Sequence, residues 1–195
     1  MQKCSIFAIA LLGLALANAA RSQAIPGTVN LRFSAQISNA SAGTCGCFAM
    51  EGGAADASWS LMGSSAAHGV GLSLAADVGL DHTGTVNSSP YGLTLTTLTA
   101  GPRLWIPVPK LHIFGQALFG FAHGSNSQFP HNNSFVPSAN SFALDLGGGA
   151  DYALGKRFAV RVLQLDYLRT SLPNNSTDWQ NNLRIGAGLT VRLAH

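Results

Sequence analysis

From residue 28 onward, apolar and polar residues alternate with a period of two in about eight stretches of roughly ten residues, the rhythm and length of membrane-crossing strands. The stretches span 29–37, 54–62, 69–80, 93–106, 111–123, 141–152, 158–169 and 182–193. The first sets Val29, Leu31, Phe33, Ala35 and Ile37 on one face and Asn30, Arg32, Ser34 and Gln36 on the other. The third opposes Leu72, Leu74, Ala76, Val78 and Leu80 to Gly71, Ser73, Ala75, Asp77 and Gly79. In the last, Ile185, Ala187, Leu189, Val191 and Leu193 oppose Arg184, Gly186, Gly188, Thr190 and Arg192. The second is weaker, with Trp59 and Leu61 marking its apolar face. Two stretches break the rhythm. Pro102, inside the fourth, cannot donate to a ladder and predicts a local bulge. In the seventh, Phe158, Val160 and Val162 give way to Leu165 and Tyr167, so parity is restored only by a bulge near Val162–Leu163.

The connections alternate in length. Long ones are predicted at 38–53, 81–92, 124–140 and 170–181, and short ones near 63–68, 107–110 and 154–156. Short turns at one end and long loops at the other predict an all-β fold, an eight-stranded antiparallel up-and-down transmembrane β-barrel of the bacterial outer membrane. An even strand count puts both chain ends on the short-turn side, hence periplasmic, with the long loops extracellular. Hydrocarbon cannot satisfy an open sheet edge, so the first and last strands must pair.

A barrel of this size has a lumen just wide enough to be filled by side chains. The inward positions carry Arg32, Arg103, Arg161 and Arg184, and also Asp77, Asp145, Asp151 and Asp166. Buried charges persist only when paired, so a polar network and a plugged lumen are expected. The inward glycines Gly71, Gly79, Gly101, Gly147, Gly149, Gly186 and Gly188 leave room for the alternative, a narrow passive channel. Trp59, Trp105, Tyr152, Phe158 and Tyr167 lie near strand ends and read as outward interface girdles.

The N-terminus changes the picture of the compartment. Met1-Gln2-Lys3 and the apolar run 6–17 read as a secretory signal over 1–24, cleaved after Ala19 or Ala24, before a single barrel domain over 25–195. That run is short for a spanning helix, which needs about 20 residues. Cys4 precedes it and is not placed as a lipoprotein cysteine. Only 10% of residues are charged, against about 25% in soluble domains, which suits a wall facing lipid. The net charge of +3 comes without a basic cluster, which argues against nucleic acid as a partner.

Several segments resemble the outer membrane protein β-barrel domain family, of the small outer-membrane-protein-A-like and X-like kind. They are Leu146-Gly147-Gly148-Gly149-Ala150-Asp151, then Phe158-Ala159-Val160-Arg161 and Gln164-Leu165-Asp166-Tyr167, with 180–189 following. Gly101-Pro102-Arg103 and 114–123 fit the same pattern. The chain is similar in these stretches to barrel proteins predicted in Acidobacteria. The resemblance implies outer-membrane lipid and lipopolysaccharide as surroundings and insertion by the barrel assembly machinery. It implies that Gly186, Leu189, Val191 and Leu193 belong to the C-terminal assembly signal, although the chain closes on His195 rather than an aromatic. A monomer without cofactor or metal is expected, and the sequence stops at the barrel.

Two motifs bear on chemistry. Cys45-Gly46-Cys47 lies in the first long loop. In an oxidising compartment it admits a strained disulfide, free or intermolecular thiols, or metal binding. His123-Gly124-Ser125-Asn126 resembles the His-x-Ser-Asn motif of lipid A deacylase, an eight-stranded outer-membrane esterase. There, histidine would activate serine and an acid would orient the histidine. No glutamate follows Glu51, and the nearest acids, Asp145 and Asp151, are predicted to face the lumen. The expectation is therefore a non-enzymatic barrel that anchors or presents its loops, with the esterase as a lesser alternative.

Overall fold

The computed structural model describes residues 27–39, 47–62, 69–86, 89–174 and 178–193. These form eight antiparallel strands in chain order: β1 (Gly27–Asn39), β2 (Cys47–Met62), β3 (Gly71–Thr83), β4 (Leu93–Val108), β5 (Leu111–His131), β6 (Ser134–Ala153), β7 (Phe158–Thr170) and β8 (Gln180–Arg192). Each strand pairs with its chain neighbours, and β1 pairs with β8 from Thr28↔Arg192 to Asn39↔Asn181, which closes the barrel. Closure leaves no strand edge along the wall, as a hydrocarbon solvent demands.

The outer wall is apolar. Phe33 is 85% exposed, Phe121 71% and Leu189 61%, so only lipid can cover them. The inner face holds the buried polar residues, among them Asn30, Arg32, Asp77, Arg161 and Arg184. The parity read in 29–37, 70–80 and 182–193 matches this burial, and so does that in 141–152 apart from 147–150, which are all half-buried.

The structure corrects the sequence reading in four places. The first predicted loop, 38–53, is mostly strand: β2 begins at Cys47, and Glu51, Gly52 and Gly53 pair with Ala35, Ser34 and Phe33. Glycines read as a break there are ladder members, because the inward site at Gly52 lies against the backbone of β3 and leaves no room for a Cβ. The third predicted loop, 124–140, is a hairpin closed by residues 132–133. Asn132 takes φ 52° in its turn, a conformation that asparagine tolerates better than most residues. Pro102 makes no bulge: Leu74↔Pro102 is in register, and Ala100↔Phe119 and Arg103↔Gln116 belong to one unbroken register. Gly101 and Pro102 merely drop out of the ladder with β5. Trp105 shares the inward parity of Arg103 and covers Gly71 from inside the lumen, so it is not part of an outer girdle. Tyr152, Phe158 and Tyr167 do face outward.

The bulge in β7 sits where parity demanded. Val162 and Leu163 are both exposed, and the register with β8 shifts between Arg161 and Gln164. β5 and β6 are the longest strands, with 21 and 20 residues. A tilted strand needs about 9–11 residues to cross lipid. β4 pairs with β5 only as far as Ser125, and β7 with β6 only from Ala143, so the remainder stands beyond the rim as a two-stranded ribbon. Extra residues in β5 between Ser125 and Phe129, with Asn126 at φ 58°, kink this ribbon.

Candidate functional site

The lumen is the one place where the wall brings polar chemistry together, and it is built in layers. Counting from the end where β1 begins and β8 ends, here the turn end, they are a vestibule, an ionic layer and an apolar cap.

In the ionic layer all eight charged residues read from the sequence converge. Arg32 Nη2 lies 2.6 Å from Asp77 Oδ2, Arg184 Nη2 2.8 Å from Asp145 Oδ2, and Arg161 Nε 2.7 Å from Asp151 Oδ1. Arg184 Nε is 3.5 Å from Asp166, whose carboxylate also accepts from Gln164 Nε2 at 2.8 Å. Arg103 donates through Nε and Nη2 to Gln116 Oε1, at 3.0 and 2.7 Å.

The hub is a residue the sequence reading passed over. Asp56 accepts from Arg32 at 3.1 Å, Arg103 at 2.7 Å and Arg161 at 2.5 Å, three guanidiniums from three other strands on one carboxylate. The signal for it was parity: with Trp59 and Leu61 outward on β2, Asp56 must face in. Asp81 was missed because β3 extends beyond the predicted end. It accepts from Ser34 Oγ at 2.7 Å. Arg103 and Arg161 also flank the Phe114 ring, with Cζ atoms 4.5 and 4.6 Å from its centroid.

The glycines that might have left channels are occupied by neighbours. A Cβ at Gly79 would lie 2.6 Å from Arg184 Nη1, and one at Gly149 2.8 Å from Phe114 Cζ. Gly186 likewise gives its space to the Arg32 side chain. Small residues on the wall make room for long residues that cross the lumen.

Toward the other end, here the loop end, the lumen turns apolar. Met50, Leu95, Ala122, Phe129, Ala143 and Leu168 pack with Leu172 as a buried cluster. Phe129 reaches it from the ribbon, and a Cβ at Gly124 would strike its ring at 2.5 Å. The polar-inside rule did not foresee this cap, although Leu95 and Leu168 do sit at inward parity.

The esterase constellation does not assemble. His123 and Ser125 lie within β5 on the outer face near the rim, not in a loop. His123 Nδ1 is 2.7 Å from Asn140 Oδ1, an amide partner. Asp145 and Asp151 are on the opposite face of the wall, committed to Arg184 and Arg161. Cys47 opens β2, while Cys45 lies outside the described residues, as do the predicted signal segment and the connection 63–68. Among the described residues no group of His, Cys, Asp or Glu has metal-site geometry. Gly186 faces in, and Leu189, Val191 and Leu193 face out along β8 and just past its end.

The family model described as outer membrane protein beta-barrel domain matches residues 6–190. The chain belongs to this family. No curated protein matches it. Among solved structures, Neisserial surface protein A superposes with a TM-score of 0.58 at 14% identity, covering 86% of this chain and 97% of that one. Ail, the attachment invasion locus protein of Yersinia pestis, gives a TM-score of 0.53 at 12% identity, covering 88% and 100%. Ail in complex with the heparin analogue sucrose octasulfate gives 0.54 at 10% identity, over 86% and 98%. At these identities the likeness is one of fold. The chain is an integral barrel of the outer-membrane family, and what its lumen and ribbon do is carried by its own residues.

Proposed function

We propose that this protein is a non-enzymatic outer-membrane barrel with a lumen closed to solutes, serving as a rigid anchor that presents the β5–β6 ribbon. The observation that carries the reading is the Asp56 hub, where three arginines span the lumen from different strands. The apolar cap, which water has little reason to enter, supports the same reading. The inward glycines are filled, which disfavours the channel alternative.

The even strand count, and the extension of β5 and β6 past their neighbours at the end away from Gly27 and Arg192, support a periplasmic side for that strand end and an outside position for the ribbon. Lipopolysaccharide then meets the loop-end rim, and the barrel assembly machinery reads β8, with Gly186, Leu189, Val191 and Leu193 as its signal. No second barrel is needed to complete the wall, which favours a monomer. An apolar outer face with a capped lumen needs no enzymatic role to account for it.

Planar-bilayer recording on refolded protein tests the closure. A silent membrane is expected, and discrete current steps would overturn it. An epitope inserted between Asn132 and Asn133 tests the orientation: intact cells should stain, and labelling only after permeabilisation would reverse it.

A further inference from the structure

We propose that the turn-end vestibule is a binding pocket for a small neutral saccharide of one or two rings. The cavity has a volume of about 340 Å³ and is lined at the turn end of the lumen, with the ionic layer and then the apolar cap above it. Its size falls at the lower end of small-molecule sites, which run from about 300 to 1,000 Å³.

The two sides of the pocket differ in chemistry. In a ring of eight strands, β4 and β5 face β8 and β1 across the lumen. From β4 and β5 come Trp105, His112 and Phe114. The Trp105 and His112 rings pack at 6.2 Å between centroids, tilted by 44°, and Phe114 is pinned by its two guanidiniums. From β1, β2 and β8 come the hydroxyls of Thr28, Ser58 and Thr190. Thr28 Oγ1 and Ser58 Oγ are 2.7 Å apart, and Thr190 Oγ1 accepts from Asn30 Nδ2 at 2.9 Å, so each keeps hydrogen-bonding capacity to spare, with Thr28 the most open of the three. A pyranose fits such a cleft: its C–H face packs on an indole, and its equatorial hydroxyls exchange hydrogen bonds with an opposing row of hydroxyls.

The charges at the pocket floor are already committed. Asp151 is held by Arg161 through both oxygens, at 2.7 and 3.1 Å, and Arg103 by Asp56 and Gln116. Neither is left over to neutralise a charged ligand, which selects a neutral one. Arg192, at the end of β8, also lines the pocket, and glucuronate as a ligand tests whether its charge outweighs the committed floor.

The test uses the full chain refolded in a zwitterionic detergent without a sugar headgroup, probed with glucose, maltose and glucuronate. Saturation-transfer NMR should show transfer to the ring C–H protons of glucose or maltose, with glucuronate binding more weakly. Trp105→Ala should weaken binding by about tenfold, the effect of losing a central aromatic anchor. Thr28→Val, which retains the side-chain shape at the most open of the three hydroxyls, should weaken it as well, and it carries the test if Trp105→Ala does not fold by heat-shift gel. Absence of transfer from both neutral sugars to folded wild type overturns the proposal, as does unchanged binding in the folded variants or preferred glucuronate binding. A bilayer current would overturn the closed lumen instead, and is read independently.

Discussion

At the scale of single residues, Asp56 gathers three arginines on one carboxylate. That carboxylate is buried, and its removal strips Arg103 of its carboxylate partner and takes one from each of Arg32 and Arg161. Breaking a buried ion pair from one side costs about 3–5 kcal/mol. Asp56→Ala should therefore lower the unfolding free energy, read from urea titration of the folded band, by about 3–5 kcal/mol, and Asp56→Asn, which keeps an acceptor, by less. Gly149 offers a steric counterpart. A methyl there would press on Phe114, so Gly149→Val should cost about 1–3 kcal/mol by overpacking in the same assay. The inward parity of Asp56 was readable from Trp59 and Leu61. Its three partners were not, because they come from β1, β4 and β7.

At the scale of elements, β7 shows how much depends on one extra residue. Val162 and Leu163 both face lipid, and this double step keeps Arg161, Gln164 and Asp166 inside together. A one-residue slip turns every later side chain to the other face. Deletion of Leu163 would remove the extra residue and leave Arg161, Val162, Gln164, Leu165 and Asp166 in regular alternation, so the heat-modifiable band should persist, whereas deletion of Leu165 would turn Asp166 into lipid and should abolish it. The ribbon of β5 and β6 predicts the opposite tolerance. Beyond Ser125 and Ala143 it has no neighbouring strand. Replacing 130–135 with Asn-Gly would join Phe129 to Val136, a pair already in register, through a two-residue turn. The apolar cap keeps Phe129, so the barrel should fold with stability changed by less than about 1 kcal/mol, as surface changes usually are. This element was misread as a loop since its Asn, Ser and Pro content suits turns. The pairing between its two arms is what makes it strand.

At the scale of the whole molecule, closure along β1 and β8 makes the barrel a single unit. The unboiled protein should migrate differently from the boiled protein on a detergent gel, and an unchanged mobility would contradict a closed barrel. The same gel reports on the ionic layer. Its side chains are at most 12% exposed, so salt reaches them poorly. Raising the salt from about 0.1 to 1 M shortens the screening length from about 10 to 3 Å, yet the unfolding midpoint should hardly move. A large shift would mean that water and ions enter the lumen.

The sequence by itself determined the strands, their number, which face of each meets lipid, and the bulge in β7. These follow from local alternation, since a pleated strand sends neighbouring residues to opposite sides whatever surrounds it. Only the tertiary structure decided which inward residues meet. Strands far apart in the chain face one another across the lumen, so the Asp56 hub, the apolar cap and the vestibule of Trp105, His112 and Thr190 arise from closure. No local pattern encodes that geometry, because it depends on the register of every ladder around the ring.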